Sequence, residues 1–305
     1  MIAVTGGAGF IGSNIVVELL RRGEEVILVD DFSTGSREVA RRLEEMGAIL
    51  LEGSSSRVAE LDRVDAVLHL GMPSSSPMYR EDPGLVGSAL GEFIVLMELA
   101  RRRGIRLIYA STSSIYNGND PPHREDMPVI PTDLYTEARY FMERMAEVYH
   151  SLHGVRSIGL RLFSVYGPNE RPKGRYANVV SQMIWAGLEG RRFVVFGDGS
   201  QTRDFIHVRD VVRAFMAALE SDAHGVFNVG TGRETSFRDL ASMISEKLPL
   251  SLEFVENPIR NYVLRTCADT SLAEEVLGFR ATVDLRRGIE ELIEAYRREE
   301  IVFGV

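Results

Sequence analysis

A single cysteine, Cys267, excludes an internal disulfide and leaves no cysteine cluster for a metal, so it reads as a small packing residue and no metal site is expected. Lysine is nearly missing as well. Of 35 basic side chains, Lys173 and Lys247 are the only lysines and the rest are arginines, a bias that by itself assigns neither a growth temperature nor a function. No run of about 18 apolar residues occurs, which excludes a membrane-spanning helix from the expectation. The opening "MIAVTGG" has neither the charged nor the apolar region of a signal peptide, so a cytoplasmic protein is expected. An excess of positive charge is lacking too. The net charge of -9 argues against nucleic-acid binding, and any anionic ligand must be met by individually placed cations. Repeats, low-complexity tracts and long charge runs are absent; the Arg101 to Arg103 triplet reads as a complement to a helix C-terminus.

What is present is ordinary for a globular protein: 305 residues with 45% hydrophobic content, enough for one large domain or two intimately joined ones. Apolar, β-branched runs at 2–5, 26–30, 48–52, 66–70, 106–111 and 157–163 alternate with helical patterns near 10–22, 36–46, 82–103 and 133–153. Such alternation predicts an α/β fold with a doubly wound parallel sheet covered on both faces. The regularity breaks after about residue 165 at "YGPNERPKGRY". Helices near 176–189, 208–220, 236–247, 271–277 and 284–299, with short strands at "FVVF", 226–229 and 251–255, then predict a smaller lobe capping the sheet's carboxyl edge.

The first predicted strand runs into "TGGAGFIGS", with Gly6, Gly9 and Gly12 at a GxxGxxG spacing that opens the first helix. Glycine permits the tight turn and lets the backbone approach a pyrophosphate at the helix N-terminus. Asp30 closes the second strand, where a carboxylate accepts from both hydroxyls of a ribose and repels a 2′-phosphate. NAD is therefore expected over NADP. In "LYTEARYFME", Tyr135 and Arg139 are spaced i, i+4 on a predicted helix. Taken alone, that spacing describes an ordinary surface pair.

Several motifs in order change that reading. "TGGAGFIGS", "VDDFSTG", "YASTSSIYNG", "LYTEARYFME", "RLFSVYGPNERP", "GDGSQTRDFIHVRD", "NVGTG" and "CADTSLAEEVLGF" together resemble the extended short-chain dehydrogenase/reductases, in the branch of NAD-dependent nucleotide-sugar epimerases. The resemblance spans nearly the whole chain. It implies a Rossmann NAD-binding domain over residues 1–165, with some later segments returning to it, and a mainly substrate-binding lobe over 166–305.

The resemblance makes Tyr135 the catalytic phenol, Thr112 its hydroxyl partner and Arg139 the accompanying cation, at a position where the family carries lysine. A free phenol titrates near 10, so use as a base near neutrality requires a fixed neighbouring cation. Arginine provides the charge but is bulkier and planar. For NAD, the implied contacts are Gly6, Gly9, Phe10, Ile11 and Gly12 at the pyrophosphate. Asp30, Asp31, Ser33, Gly35 and Ser36 follow the second strand, and Ser54 and Ser55 the third. Leu70, Gly71 and Met72 follow the fourth, with Ser88, Phe163, Tyr135 and Arg139 completing the set. For the substrate, a UDP-sugar, they are Thr112, Ser164, Asn178, Val179, Arg203, Arg260 and Thr266. Three serines depart from the family pattern. Ser54 stands for an aspartate, Ser88 lies near an expected asparagine and Ser164 replaces one.

The implied reaction is 4-epimerisation of a UDP-sugar through a 4-keto intermediate. Related dehydratases place an Asp-Glu pair after the threonine and decarboxylases a glutamate two residues after it, whereas Ser113 and Ser114 stand here. A uronate epimerase or decarboxylase, and a non-catalytic sensor of NAD or nucleotide sugar, remain alternatives. Residues 88–103 and 133–153 resemble the helices through which the family dimerises, so a homodimer is expected. Phe93, Met97, Phe141 and Met145 on them suit a core equally well.

Overall fold

Strands whose residues are buried on both sides, such as "IAVT" and "VILVD", have no face to give to water and settle inside a parallel sheet. In the computed structural model, which describes residues 1–259, 262–298 and 301, the first half runs as expected. β1 (Ile2–Thr5), α1 (Phe10–Arg21), β2 (Val26–Asp30), α2 (Arg37–Glu45), β3 (Ile49–Glu52), β4 (Ala66–His69), α3 (Ser76–Glu81), α4 (Leu85–Arg103), β5 (Arg106–Thr112), α5 (Leu134–His153) and β6 (Ser157–Leu162) follow one another. The helix expected over 82–103 is α4, and α3 is a further short helix ahead of it. Pro83 lies in the break between α3 and α4, where it cannot donate to a continuous helix.

The second half contributes β7 (Ser164–Tyr166), α6 (Val179–Leu188), β8 (Arg192–Phe196), β9 (Thr202–Arg203), β10 (Phe205–His207) and α7 (Val208–Glu220). After them come β11 (Gly225–Val229), β12 (Thr235–Ser236), α8 (Phe237–Ser245), β13 (Ser251–Val255), α9 (Ser271–Leu277) and α10 (Leu285–Arg297). Seven strands form one parallel sheet in the order β11-β6-β5-β4-β1-β2-β3. β11 comes from the second half of the chain and pairs with β6 from Gly225↔Ile158 to Val229↔Leu162. The sheet thus draws on both sides of residue 165.

One face of the sheet is packed by α1, α2, α7 and α9, and the other by α4 and α5. A third cluster, built from α6, α8 and α10 around β8, is the core of the smaller lobe. Phe93 and Met97 are fully buried core residues, while Phe141 and Met145 are half-buried. Strand order reverses between β1 and β4, and at such a switch point the loops leaving the carboxyl ends diverge and open a crevice.

Candidate active site

That crevice is a cavity of about 630 Å³. Its floor is the turn between β1 and α1, whose glycines are required by geometry. A Cβ on Gly12 would lie 2.1 Å from the Gly6 carbonyl oxygen, and Gly6 itself has a φ of +67°. Gly9 caps α1 without a side-chain hydrogen bond, so the first N–H groups of the helix and its positive end are left for an anion.

Asp30 stands at the end of β2 and is buried. Its Oδ2 accepts from the Ala8 N–H at 2.9 Å and its Oδ1 from the Phe32 N–H at 2.8 Å, which locks the carboxylate plane. Burial pushes its pKa up, against those two backbone hydrogen bonds. Each oxygen keeps acceptor capacity for a further donor. A glycine-lined anion cradle followed by an acid at the next strand end fits a dinucleotide.

At the other end of the cavity, Asp133 caps α5 by accepting from the Thr136 N–H at 2.8 Å, and the helix presents Tyr135 and Arg139 inward. They are only 9% and 4% exposed, so this is no solvated face. The Arg139 guanidinium carbon lies 5.2 Å from the Tyr135 ring centroid. Its Nη1 donates to the Ala110 carbonyl and its Nη2 to the Pro73 carbonyl, each at 3.0 Å, and Nη1 also touches the Met72 sulfur. Nε is buried without a partner, and no carboxylate pairs with Arg139 among the described residues. A whole positive charge is therefore held beside the phenol. Among the described residues the Tyr135 hydroxyl makes no hydrogen bond, while Thr112, at the end of β5, accepts from the Ser114 N–H at 3.1 Å on the same wall.

Arg203 reaches the cavity from β9. Its guanidinium sits 5.5 Å from the Phe237 ring and 5.6 Å from the Tyr262 ring and donates to its neighbour's carbonyl, Thr202 O, at 2.7 Å. The nearby acids are engaged elsewhere: Asp204 accepts from Thr231, Gly232 and Ala268, and Asp210 from Arg213, Thr282 and Val283. Burial lowers the Arg203 pKa, as expected for a cation that awaits an anion. Asn178 is the N-cap of α6, accepting from the Val180 N–H, and it still lines the cavity, reaching Ser164 Oγ at 3.4 Å. Thr266 Oγ1 accepts from the Asp204 N–H at 3.3 Å.

Phe10, Ile11, Asp31, Ser33, Ser55, Leu70, Gly71, Met72, Ser88 and Phe163 also lie on the cavity wall. Four expected contacts do not. Gly35 is packed behind Asp30, where its Cβ would meet Asp30 Oδ1 at 2.5 Å. Ser36 is consumed as the N-cap of α2, accepting from Val39. Ser54 Oγ is shared with Ser56 Oγ, leaving Ser55 to face the cavity. Val179 packs into the smaller lobe's core. Arg260 lies outside the described residues.

The sequence reading missed Glu92 and Lys173, both on the wall. Glu92 reaches in from α4 and accepts from the Ser55 N–H at 2.9 Å, with its pKa raised by burial. A glutamate in mid-helix carries no local signal of such a role.

Fold and cavity define a dinucleotide-binding α/β protein whose cavity extends from the glycine cradle to Tyr135 and Arg139. The model of the NAD dependent epimerase/dehydratase family matches residues 2–230, and the chain belongs to that family. It is 34% identical to UDP-glucose 4-epimerase of Mycolicibacterium smegmatis, covering 97% of this chain and 98% of that one. It is 33% identical to UDP-glucuronic acid decarboxylase 1 of Arabidopsis thaliana, over 97% of this chain and 69% of that one. Among solved structures, UDP-glucose 4-epimerase of Thermotoga maritima with UDP-glucose superposes with a TM-score of 0.90 at 32% identity, covering 98% and 99% of the two chains.

Proposed function

We propose that the protein is an NAD-dependent 4-epimerase of UDP-sugars, interconverting UDP-glucose and UDP-galactose through a 4-keto intermediate. The observation that carries this reading is the buried Tyr135–Arg139 pair on the wall that also carries Thr112, opposite the glycine cradle. Gly6, Gly9, Phe10, Ile11 and Gly12 hold the cofactor's pyrophosphate and Asp30 its ribose. NAD bound there supplies a reversible hydride acceptor for C4 of the sugar.

Tyr135 takes the proton from the sugar's 4-hydroxyl and returns it to the ketone. Arg139 stabilises the phenolate with a fixed charge, and Thr112 orients the hydroxyl. Arg203 clamps the substrate diphosphate, with Ser164 and Asn178 beside it.

A relative that is a decarboxylase makes the choice of reaction a real one. Among the described residues the cavity's carboxylates are Asp30, Asp31 and Glu92, none of them in the segment that follows Thr112. Ser113 and Ser114 stand there and cannot take a C5 proton, which favours simple 4-epimerisation. The small Thr266 on the wall leaves room for an N-acetyl group, so the N-acetylated pair is included as substrate. Thr266→Tyr is expected to suppress that pair selectively.

Residues 1–165, with β11 and the helices packed on the sheet, make up the cofactor domain, and most of 166–305 the substrate lobe. Ile94 on α4 and Val148 and Leu152 on α5 are exposed apolar side chains, which supports a homodimer formed through those helices, readable by sedimentation.

The test is to denature purified protein, identify any released dinucleotide, and assay UDP-glucose/UDP-galactose interconversion. Tyr135→Phe should abolish interconversion and leave dinucleotide content intact. Sugar-nucleotide binding with no dinucleotide reduction at any stage would overturn the enzyme reading in favour of a sensor.

A further inference from the structure

Three cations line the cavity among the described residues: Arg139, Arg203 and Lys173. The first two are braced by carbonyls or rings and serve the phenol and the substrate side. Lys173 has no assigned role, and it is one of only two lysines in the chain; the other, Lys247, pairs with Glu290 on the surface.

Lys173 lies in the short helical segment 171–176 between β7 and α6. Its ammonium is 5.5 Å from the ring centroid of Phe10, the first helical residue after the glycine turn. Among the described residues, its one side-chain hydrogen-bond partner is Glu170 Oε1, at 3.2 Å. Glu170 is fully buried, and its carboxylate already accepts from the Asn178 N–H at 2.7 Å and from Ser181 Oγ at 2.6 Å. Its charge is thus largely spent on α6.

An ammonium has three donors. One goes to Glu170, and the described residues supply no acceptor for the other two. The ammonium therefore stands over the ring of Phe10, which opens α1 at its positive end, and among the described residues its one counter-charge is shared three ways. Two positive groups brought together in this way are stabilised by an anion between them.

We propose that Lys173 grips the cofactor's pyrophosphate from the side opposite the glycine turn, so that the substrate lobe's 171–176 segment latches NAD in place. The proposal rests on the reading of the cavity as an NAD site. Lysine suits the task because its compact, flexible point charge can aim its remaining N–H donors at phosphate oxygens. Release of NAD then requires the segment to lift, and the cofactor stays bound between turnovers.

The experiment follows NAD loss from the NAD-loaded protein after desalting, in the unaltered chain, in Lys173→Gln and in Lys173→Arg, with thermal melting as the check on folding. Glutamine keeps an N–H donor on a side chain one atom shorter and removes the charge. Lys173→Gln should release NAD about tenfold faster, as for one charge-assisted hydrogen bond lost, and the difference should shrink at high salt. Lys173→Arg should fall between the two, and UDP affinity by calorimetry should be the same in all three.

Equal NAD loss in Lys173→Gln, or weakened UDP binding with unaltered NAD loss, overturns the assignment and leaves the proposed function standing. Failure of the unaltered protein to bind NAD overturns both.

Discussion

Asp30 shows how little freedom a binding residue keeps. Two backbone N–H groups fix its orientation, so the carboxylate is ordered before any ligand arrives and no entropy is lost in positioning it. Asp30→Asn keeps the shape but turns one acceptor into a donor that faces a backbone N–H. Its NAD affinity should fall by about 1–3 kcal/mol and its preference over NADP should narrow, both by titration of the dinucleotide-free protein. Unchanged discrimination would remove Asp30 from the ribose. Arg139 is held with equal firmness by two carbonyls, so its charge is fixed while its fork is already occupied. Arg139→Met should lower turnover about a hundredfold or more. Arg139→Lys should retain or increase turnover. Unaltered turnover in Arg139→Met would return the residue to a packing role. The residues legible in the sequence were those tied to a local backbone requirement, such as Gly6 and Gly12, or to the end of an unmistakable strand, such as Asp30. Glu92 and Lys173 reach the cavity through tertiary packing, and nothing in their neighbours announces it.

At the scale of elements, the geometry of the site depends on how α5 is fastened to the sheet. One helical turn beyond Arg139, Glu143 receives Arg161 of β6 through Nε at 3.0 Å and Nη2 at 2.6 Å, and Ser111 of β5 at 2.5 Å. Arg161 also donates to the Tyr116 hydroxyl at 2.7 Å, which in turn donates to Asn228 of β11 at 2.8 Å. Burial pushes the Tyr116 pKa up to about 12, so that hydroxyl stays a donor at every working pH. Both ends of the ion pair are almost wholly buried, and breaking one end strands the other. Glu143→Gln should therefore cost about 3–5 kcal/mol of unfolding free energy, read by urea denaturation. The double change Glu143→Met with Arg161→Met should recover much of that loss, because two apolar side chains leave no buried charge behind. Equal losses in the single and double variants would show that the pair contributes packing alone. The periodicity of α5 and the runs of β5 and β6 were readable because each is buried by one rule along its length. The extra helix α3 was not, nor was which later strand pairs with β6. The first is only six residues, Ser76–Glu81, too short for a periodic signal, and the second rests on a pairing that no local window contains.

The molecule as a whole carries an acid sensitivity that its composition conceals. His207, the N-cap of α7, accepts from the Arg209 N–H at 3.2 Å and packs edge-on against Tyr166. Burial, reinforced by Arg209, holds its pKa down to about 3, and burial with Arg139 does the same to His69 in β4. In the unfolded chain each titrates near 6.5. Between about 3 and 6.5 the unfolded state thus binds protons that the folded state refuses, so this stability is complete above about 6.5 and is lost as pH falls. Buried carboxyls work in the opposite direction. The pKa of Asp204 and of Glu125 is raised by burial, so the fold gains from their protonation as pH falls through the raised values. The net curve mixes the two, and a difference between variants separates them. His207→Asn keeps a cap acceptor for α7 and cannot titrate. It should be less stable than the unaltered protein at pH 8, through lost packing on Tyr166. Its unfolding free energy should then fall less steeply toward pH 5, by up to about 1.4 kcal/mol per pH unit. Denaturant unfolding at several values between pH 8 and 5 measures the two slopes, and parallel curves would mean that His207 takes up its proton without opening the fold.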